Sequence, residues 1–359
     1  KLTKRFGKSI SPSVELVDMK NEYCNKTPSL LSKSLIKAID NCLKKSEKVI
    51  ILHNRRGYLR FQQCIDCGKI KMCNRCSVAL TFHITDNNLH CHYCKSVEAL
   101  ISNCLGCNSA NLIFSGSGTQ RVEDVLQQQF PKSIILRMDM DTVRRKGAHI
   151  KILEKFSTGD ADILLGTQMI AKGLDFDNVT LVGVINADSG LFFPDFRAGE
   201  RVFQLIYQVA GRAGRRRKPG LAIIQTYNPD DIYIQTASTL NIKKFYNIAL
   251  AQRQELGYPP FSRLGRILFT GKNKIIVEDL ATKTGKRLMQ NTNYKILGPV
   301  SAPIEKIYGN WRTHLIIKSK NEKINSLQQF LFSSIGSTIF ERKWSGVRIQ
   351  VDVDPVSML

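Results

Sequence analysis

The sequence predicts an α/β protein in which helices cover both faces of a parallel sheet. Short apolar runs such as 163–165 and 181–185 lack polar alternation, as strands buried on both faces require. Stretches with helical spacing of apolar residues separate these runs, which is the order produced by crossover helices. A cysteine-rich segment interrupts the order after its first strand, so we expect one doubly wound domain with an inserted module.

Each element of this domain follows from its own pattern. Residues 31–45 carry apolar side chains at helical spacing, and the apolar run 48–53 follows as a strand. After the cysteine-rich segment the alternation resumes with a helix at 119–130, a strand at 133–138, a helix at 150–156, strands at 162–167 and 179–185, a helix at 201–209 and a strand at 221–225.

A second, smaller domain is predicted beyond a composition break near 258–261. A helical stretch at 232–256 leads to this break. The elements that follow are a strand at 264–270, a helix at 275–290, strands at 295–300 and 313–318, a helix at 324–335 and a strand at 348–353. This β-α-β-β-α-β order is typical of a ferredoxin-like α+β domain.

Eight of the ten cysteines lie between positions 64 and 107 as four Cys-x-x-Cys turns: Cys64/Cys67, Cys73/Cys76, Cys91/Cys94 and Cys104/Cys107. Structural zinc is held tetrahedrally, so two such turns complete one closed four-thiolate site and four turns predict two. Only five residues separate the first two turns, which favours a crossed or a nested pairing over a sequential one. The spacing does not choose between these two.

Disulfides are the alternative for these cysteines. Cys24 and Cys42 are isolated, and the first residues show no targeting pattern. We therefore expect a reducing compartment and zinc.

The net charge of +23, from 53 Lys and Arg against 30 Asp and Glu, indicates a polyanionic partner. Nucleic acid is the expected one, although a membrane surface or a ribosome would also fit the charge. No apolar run reaches the roughly 18–20 residues that a membrane span needs. Because the chain begins at Lys1, we expect it to be the C-terminal part of a longer protein.

Two segments of the α/β domain carry candidate chemistry, the first being 164–176. Ligands bind at the carboxyl ends of parallel strands, and here Thr167 and Gln168 offer hydrogen bonds to a phosphate backbone. Gly173 permits close approach, and Asp175 offers a carboxylate to a ribose or an arginine. An ordinary turn after a strand is the alternative.

The second segment is 208–215, which closes the helix predicted at 201–209. Arg212 and Arg215 are three residues apart and project from one side of a helical turn, a geometry suited to a triphosphate. Arginine meets phosphate oxygens with two hydrogen bonds and keeps its charge. The alternative is a solvated basic face that continues into 216–218.

These two segments resemble motifs V and VI of superfamily 2 helicases. Segments 54–58, 118–123, 137–142, 194–201, 258–261 and 351–359, in this order around the four cysteine turns, resemble the PriA family of primosomal replication-restart helicases. The resemblance implies a bacterial, cytoplasmic and monomeric ATP-dependent 3′–5′ DNA helicase that recognises stalled forks. Its implied partners are branched and single-stranded DNA, single-stranded-DNA-binding protein and other primosome proteins.

The resemblance also implies a domain plan. A linker occupies 1–24, a RecA-like second helicase lobe 25–58 and 113–230, the zinc insertion 59–112, a helical connector 231–257 and a C-terminal DNA- and partner-binding domain 258–359. It further implies nested metal pairing, with one zinc on Cys64, Cys67, Cys104 and Cys107 and the other on Cys73, Cys76, Cys91 and Cys94.

The resemblance also implies a role for individual residues. It places Gln208, Arg212 and Arg215 at the ATP phosphates, with Arg215 as the catalytic arginine finger. Gly173 and Asp175 would lie beside the nucleotide, and Thr167 and Gln168 beside the DNA backbone. Magnesium would accompany ATP.

One departure from the family is evident. The sequence contains neither a Gly-x-x-x-x-Gly-Lys-Ser/Thr loop nor an Asp-Glu-x-His box, which belong to the first motor lobe. We therefore expect this chain alone not to hydrolyse ATP or unwind DNA. The alternative function is a non-catalytic zinc-stabilised module that binds nucleic acid and retains vestigial helicase motifs.

Overall fold

The computed structural model describes residues 12–24, 27–53, 61–73, 79–83, 86–91, 95–115, 119–138, 147–167, 170, 176, 178–213, 220–320, 324–339 and 346–358. Its first part is the predicted parallel sheet with helices on both faces, so this fold class is confirmed. Nowhere in these ranges is a helix long and apolar enough to cross a bilayer.

All of the helices and strands predicted for the α/β domain are present, together with further strands before them and in the Cys-rich segment. They are β1 (Ser13–Asp18), β2 (Tyr23–Cys24), β3 (Thr27–Pro28), α1 (Lys33–Lys44), β4 (Lys48–His53), β5 (Phe61–Cys64), β6 (Thr81–His83), β7 (Asn88–His90), β8 (Val97–Ala99), β9 (Leu112–Ser115), α2 (Thr119–Gln129), β10 (Ile135–Met138), α3 (Ala148–Thr158), β11 (Ile163–Gly166), β12 (Val179–Ile185), α4 (Ala198–Ala210) and β13 (Leu221–Thr226).

Within the described residues, six strands form the parallel sheet in the order β1-β13-β12-β4-β11-β10. Alternate residues of β4 enter two separate apolar cores, with Ile50 and Leu52 on one face and Val49 and Ile51 on the other. The first core includes residues of α3 and α4, and the second includes residues of α1 and α2. Strand β4 is therefore central and buried on both sides.

The prediction of a linker over residues 1–24 is wrong for residues 13–18. Residues 13–18 form β1, which pairs in parallel with β13 at one edge of the sheet. Its side chains alternate between exposed and half-buried over the first four positions, because an edge strand is covered less completely than a central one.

The expected helical connector consists of two helices. They are α5 (Ile232–Ser238) and α6 (Ile242–Leu256), and Leu240 lies between them at a φ of 52°. Asp231 caps the first helix by accepting hydrogen bonds from the N–H groups of Tyr233 and Ile234.

The C-terminal domain has the predicted β-α-β-β-α-β order. Its elements are β14 (Ser262–Gly271), α7 (Lys274–Leu288), β15 (Tyr294–Ile307), β16 (Asn310–Lys320), α8 (Ile324–Ile339) and β17 (Val347–Val353). Among the described residues these strands form an antiparallel sheet in the order β15-β16-β14-β17, as in a ferredoxin-like fold. Tyr308 and Trp311 lie at the turn and on the second strand of a long hairpin, because β15 and β16 extend beyond the predicted bounds 295–300 and 313–318.

Candidate functional site

Four of the predicted zinc ligands converge in the structure. The sulfur atoms of Cys64, Cys67, Cys104 and Cys107 all lie within 4.8 Å of one another. The Cys64–Cys107 and Cys67–Cys104 sulfur pairs are 3.6 and 3.4 Å apart. Zinc–sulfur bonds of about 2.3 Å in a tetrahedron place the sulfurs about 3.8 Å apart, so this cluster fits a zinc ion with little adjustment.

A two-stranded ribbon brings the first and last cysteine turns together. Strand β5 ends at Cys64, which pairs with Leu112 at the start of β9. The first turn therefore follows β5 directly, and the last turn lies just before β9. Of the inner cysteines, Cys73 precedes and Cys91 follows the β6–β7 hairpin, which belongs to a separate sheet formed by β6, β7 and β8. The convergence of the first and last turns matches the outer set of the nested pairing.

The turns at Cys64, Cys91 and Cys104 share one backbone geometry within the described residues. In each, the first cysteine carbonyl accepts a hydrogen bond from the N–H four residues on, at 2.9–3.2 Å. The same cysteine donates its N–H to the carbonyl five residues on, at 2.8–2.9 Å. The fourth residue after each cysteine has a positive φ, at Gly68, Lys95 and Asn108. The Cys91 turn thus has the conformation of the two turns that converge on the sulfur cluster.

Cys73 and Cys91 are both buried, at 2% and 3% exposure. Their predicted partners Cys76 and Cys94 lie outside the described residues. Of the second predicted four-cysteine site, the structure describes one cysteine from each turn, and both lie in the same apolar cluster.

The acid–base properties of the first cluster suit a cation. Burial, with hydrogen bonding to neighbouring thiols, raises the pKa of Cys67 to about 12. Burial also opposes ionisation of Cys104, but hydrogen bonds from the N–H groups of Gly106 and Cys107 lower its pKa to about 7. Thiols this close cannot all ionise without a compensating charge, which a divalent zinc ion supplies.

The first cysteine turn docks directly on the α/β domain, a contact that the sequence did not reveal. A Cβ atom on Gly68 would lie 2.0 Å from the carbonyl oxygen of Tyr227, so only glycine fits. The Gly68 carbonyl accepts a hydrogen bond from the Asn228 side chain at 3.2 Å. Asn228 and Tyr227 in turn donate to the fully buried carboxylate of Asp188, whose pKa is raised by burial.

The Cys-rich module also packs against the C-terminal domain. Leu80 and Leu89 share an apolar cluster with Cys73 and Cys91 of the module and with Leu264, Ile316 and Met358 of the C-terminal domain. On the hairpin, Glu305 lies 3.3 Å from Nδ1 of His83 and 2.8 Å from the ammonium of Lys274. The His83 hydrogen bond, with Lys274, lowers the pKa of Glu305 to about 2 although burial opposes the shift.

Residues 354–358, which we call the terminal strap, cross from β17 to the start of α4. Arg197 and Arg201 donate hydrogen bonds to the carbonyls of Pro355 and Val356 at 3.0 and 3.2 Å. The strap ends with Met358, which is 2% exposed. The segment 194–201 and the terminal strap are therefore in direct contact. Both belong to segments that carry the family resemblance, 194–201 and 351–359, and this contact gives them a shared structural role.

Thr167 directly follows β11, and its N–H lies 3.4 Å from the carbonyl of Met138 on the neighbouring strand. Its side chain is half-buried. The other residues predicted for this segment, Gln168, Gly173 and Asp175, lie outside the described residues.

Gln208 and Arg212 belong to the last turn of α4 and the residues that follow it. The Gln208 side chain is exposed, and Arg212 is half-buried. Arg215 lies outside the described residues. Ala213 after this helix and Ile170 after β11 are both buried in the same core, so the two candidate segments are anchored on one face of the sheet.

A parallel α/β lobe with these two segments on one face defines the C-terminal lobe of a helicase, here carrying a Cys-rich insertion. Residues 95–217 match the family model "Helicase conserved C-terminal domain". Residues 73–98 match "PriA DNA helicase Cys-rich region (CRR) domain", and residues 254–356 match "Primosomal protein N C-terminal domain".

Similar proteins cover the whole chain. The Replication restart protein PriA of Bacillus subtilis is 41% identical over 100% of this chain and 44% of its own length. That of Synechocystis is 40% identical over 97% of this chain and 42% of its own. The chain belongs to the PriA family, and it spans less than half the length of these two relatives.

A solved structure, the C-terminal domain of the DEAD-box protein Dbp5, overlaps 67% of this chain and 98% of its own at 12% identity. Its TM-score is 0.32. The helicase and PriA matches do not favour the alternative of a non-catalytic module with vestigial motifs.

Proposed function

We propose that this chain supplies the second motor lobe, the zinc module and the C-terminal domain of an ATP-dependent 3′–5′ DNA helicase. The helicase recognises stalled replication forks and promotes primosome assembly and replication restart. The observation that carries the proposal is the joint anchoring of the two candidate segments, through Ile170 and Ala213, in one core. That anchoring leaves Gln208 exposed at the surface of the lobe.

In this function the lobe provides one wall of the ATP site. Gln208, Arg212 and Arg215 approach the phosphates, and Gly173 and Asp175 lie beside the nucleotide. Arg215 acts as the finger that stabilises negative charge on the transferring phosphoryl group. A phosphate-binding loop and an acidic magnesium-binding box on a first lobe complete the site.

On the DNA side, Thr167 and Gln168 bind the phosphate backbone. Repeated closing and opening of the two lobes around ATP then moves this contact along the strand. The net charge of +23 suits branched and single-stranded DNA as partners. Single-stranded-DNA-binding protein and other primosome proteins are further partners of a monomer that works in the bacterial cytoplasm.

Two structural zinc ions hold the Cys-rich module together. One is bound by Cys64, Cys67, Cys104 and Cys107, and the other by Cys73, Cys76, Cys91 and Cys94. The shared turn geometry of Cys91 and the outer pairs supports the second site. Metal analysis of the purified chain should find two zinc ions per molecule, and a double Cys73→Ser and Cys91→Ser variant should retain one.

The motor role is tested with the chain and with a chimera. The chain alone should bind forked DNA with strong salt dependence and show no DNA-stimulated ATPase. Fused to the first lobe of the Bacillus subtilis relative, it should gain DNA-stimulated ATPase activity, which Arg212→Ala or Arg215→Ala abolishes. An arginine variant that turns over ATP at the parent rate would contradict the assigned roles, and turnover by the chain alone would contradict the composite site.

A further inference from the structure

A cavity of about 580 Å³ lies where the parts of the chain meet. The Cys-rich module contributes Met72, the helicase lobe Leu191 and Glu200, and α6 Arg253. The C-terminal domain contributes Lys295 and Lys318. Cavities of this size at domain junctions are common ligand sites.

Two lysines face this cavity as a cross-strand pair. Lys295 on β15 and Lys318 on β16 are direct partners in the antiparallel ladder, so their side chains lie on the same face. Like charges directly opposite each other destabilise a sheet. Among the described residues neither ammonium has a carboxylate partner, because Glu200 pairs with Arg253 at 2.5 Å and Asp195 with Arg201 at 2.8 Å.

Lys318 is held in place by contacts that leave part of its charge available. Its ammonium donates to the Leu256 carbonyl at 3.2 Å and lies 3.6 Å from the centre of the Tyr258 ring. An ammonium has three N–H donors, and the carbonyl and the ring face take one each, so one remains. Burial, followed by the nearby charge of Lys295, lowers the pKa of Lys318 to about 8.

We infer that the cavity binds a phosphate group through Lys295 and Lys318. A bound phosphate would offset the repulsion between the two ammonium groups. Among the described residues no carboxylate does so. Lysine serves as a point charge for phosphate. Leu191, Leu256 and Leu297 add apolar walls, so the cavity also accommodates the sugar and base attached to the phosphate.

The phosphate has two possible sources, a DNA strand or a free nucleotide. The choice of DNA rests on the proposed function, whereas the phosphate site itself does not. Isothermal titration of the intact chain with the dinucleotide TpT, with dTMP and with an oligothymidylate distinguishes them. Binding of TpT and the oligonucleotide identifies a strand, and binding of dTMP alone identifies a nucleotide.

Lys295→Met is the decisive variant, because Lys295 is exposed and the variant removes only the repelling charge. We expect it to weaken phosphate binding about tenfold, as loss of one charge-assisted contact does, without lowering the melting temperature. Lys44→Met on α1 is the control, since it removes an equally positive exposed side chain from a remote helix. Equal phosphate affinity in these two variants would overturn the inference, as would binding of an acidic peptide but of no phosphate probe.

The pH dependence gives a second readout. The other charged groups that line the cavity are Asp195, Glu200 and Arg253, and these are paired as described above. Since the bound form needs protonated Lys318, TpT affinity should fall as the pH rises through about 8. In Lys295→Met this fall should move to higher pH, because the neighbouring positive charge is gone. If the pH dependence of TpT affinity did not shift in this variant, Lys295 and Lys318 would not act as a pair. Failure of the whole chain to bind DNA would contradict only the proposed function.

Discussion

Gly68→Ala tests the contact between the first cysteine turn and the helicase lobe. Gly68 has a φ of +73°, and an added Cβ would lie 2.0 Å from the Tyr227 carbonyl oxygen. The left-handed conformation costs a non-glycine residue about 1–2 kcal/mol. The steric overlap adds about 1–3 kcal/mol, as overpacking does, so the total loss should be about 2–5 kcal/mol.

Gly159→Ala separates these two contributions. Gly159 also has a positive φ, +104°, but no atom lies within 4 Å of its added Cβ. This control should therefore lose only the conformational part, about 1–2 kcal/mol, at the end of α3.

Hydrogen exchange measures the effect at the right place. The Tyr227 amide donates to Asp188, so its exchange reports whether the loop after β13 stays closed. Gly68→Ala should lower the exchange free energy of this amide and accelerate zinc loss to a chelator, whereas Gly159→Ala should do neither. If the two variants behave alike at Tyr227, the cysteine turn does not support the lobe and the reasoning fails.

Three further predictions follow from single residues. Lys95→Gly should stabilise the Cys91 turn by about 1 kcal/mol, seen as slower zinc release, because the native lysine has a φ of 64°. Met358→Ala should cost about 2–5 kcal/mol and expose the terminal strap to proteolysis, since this side chain is 2% exposed. The folded pKa of Glu305 is about 2, below the usual value of 4.5 for a glutamate. Its contact with His83 therefore stabilises the fold above about pH 4.5, and this stabilisation is lost as the pH falls towards 2. Glu305→Gln should remove that pH dependence, worth about 1 kcal/mol for a partly exposed pair, in acid unfolding of the hairpin contact.

The features predicted well from the sequence are those encoded locally. Residues 181–185 of strand β12 form a run without polar side chains, and the cysteine turns are defined by residues three apart. Both patterns specify their structure within a few residues, because burial on two faces and tetrahedral coordination each constrain a short segment.

The features that escaped prediction depend on distant partners. Strand β1 pairs with β13, which lies about 200 residues further on, and its partly exposed pattern resembles an ordinary linker. The docking of Gly68 on Tyr227 and the packing of Met358 with Leu80 and Leu89 likewise join residues far apart in sequence. The positive φ of a cysteine turn already explains a glycine there. The sequence around Gly68 therefore gave no separate indication of its close contact with Tyr227.

The length of the β15–β16 hairpin was predicted wrongly for a different reason. Tyr308-Gly309 is a two-residue connection with positive φ at both positions, which is the turn that tight hairpins use. The apolar pattern predicted strands only at 295–300 and 313–318, so the extension of both strands to this turn was missed.

The central place of β4 affects how the protein is made on the ribosome. Its two neighbours, β11 and β12, are synthesised about 110 residues or more after it, because the Cys-rich insertion and several further elements come between. At about 5–20 residues per second, the nascent chain must keep this apolar strand shielded for on the order of ten seconds. The outer cysteine turns both lie within residues 64–107, which are synthesised before β11 and β12. The sulfur cluster of the insertion can therefore form while the sheet is still incomplete.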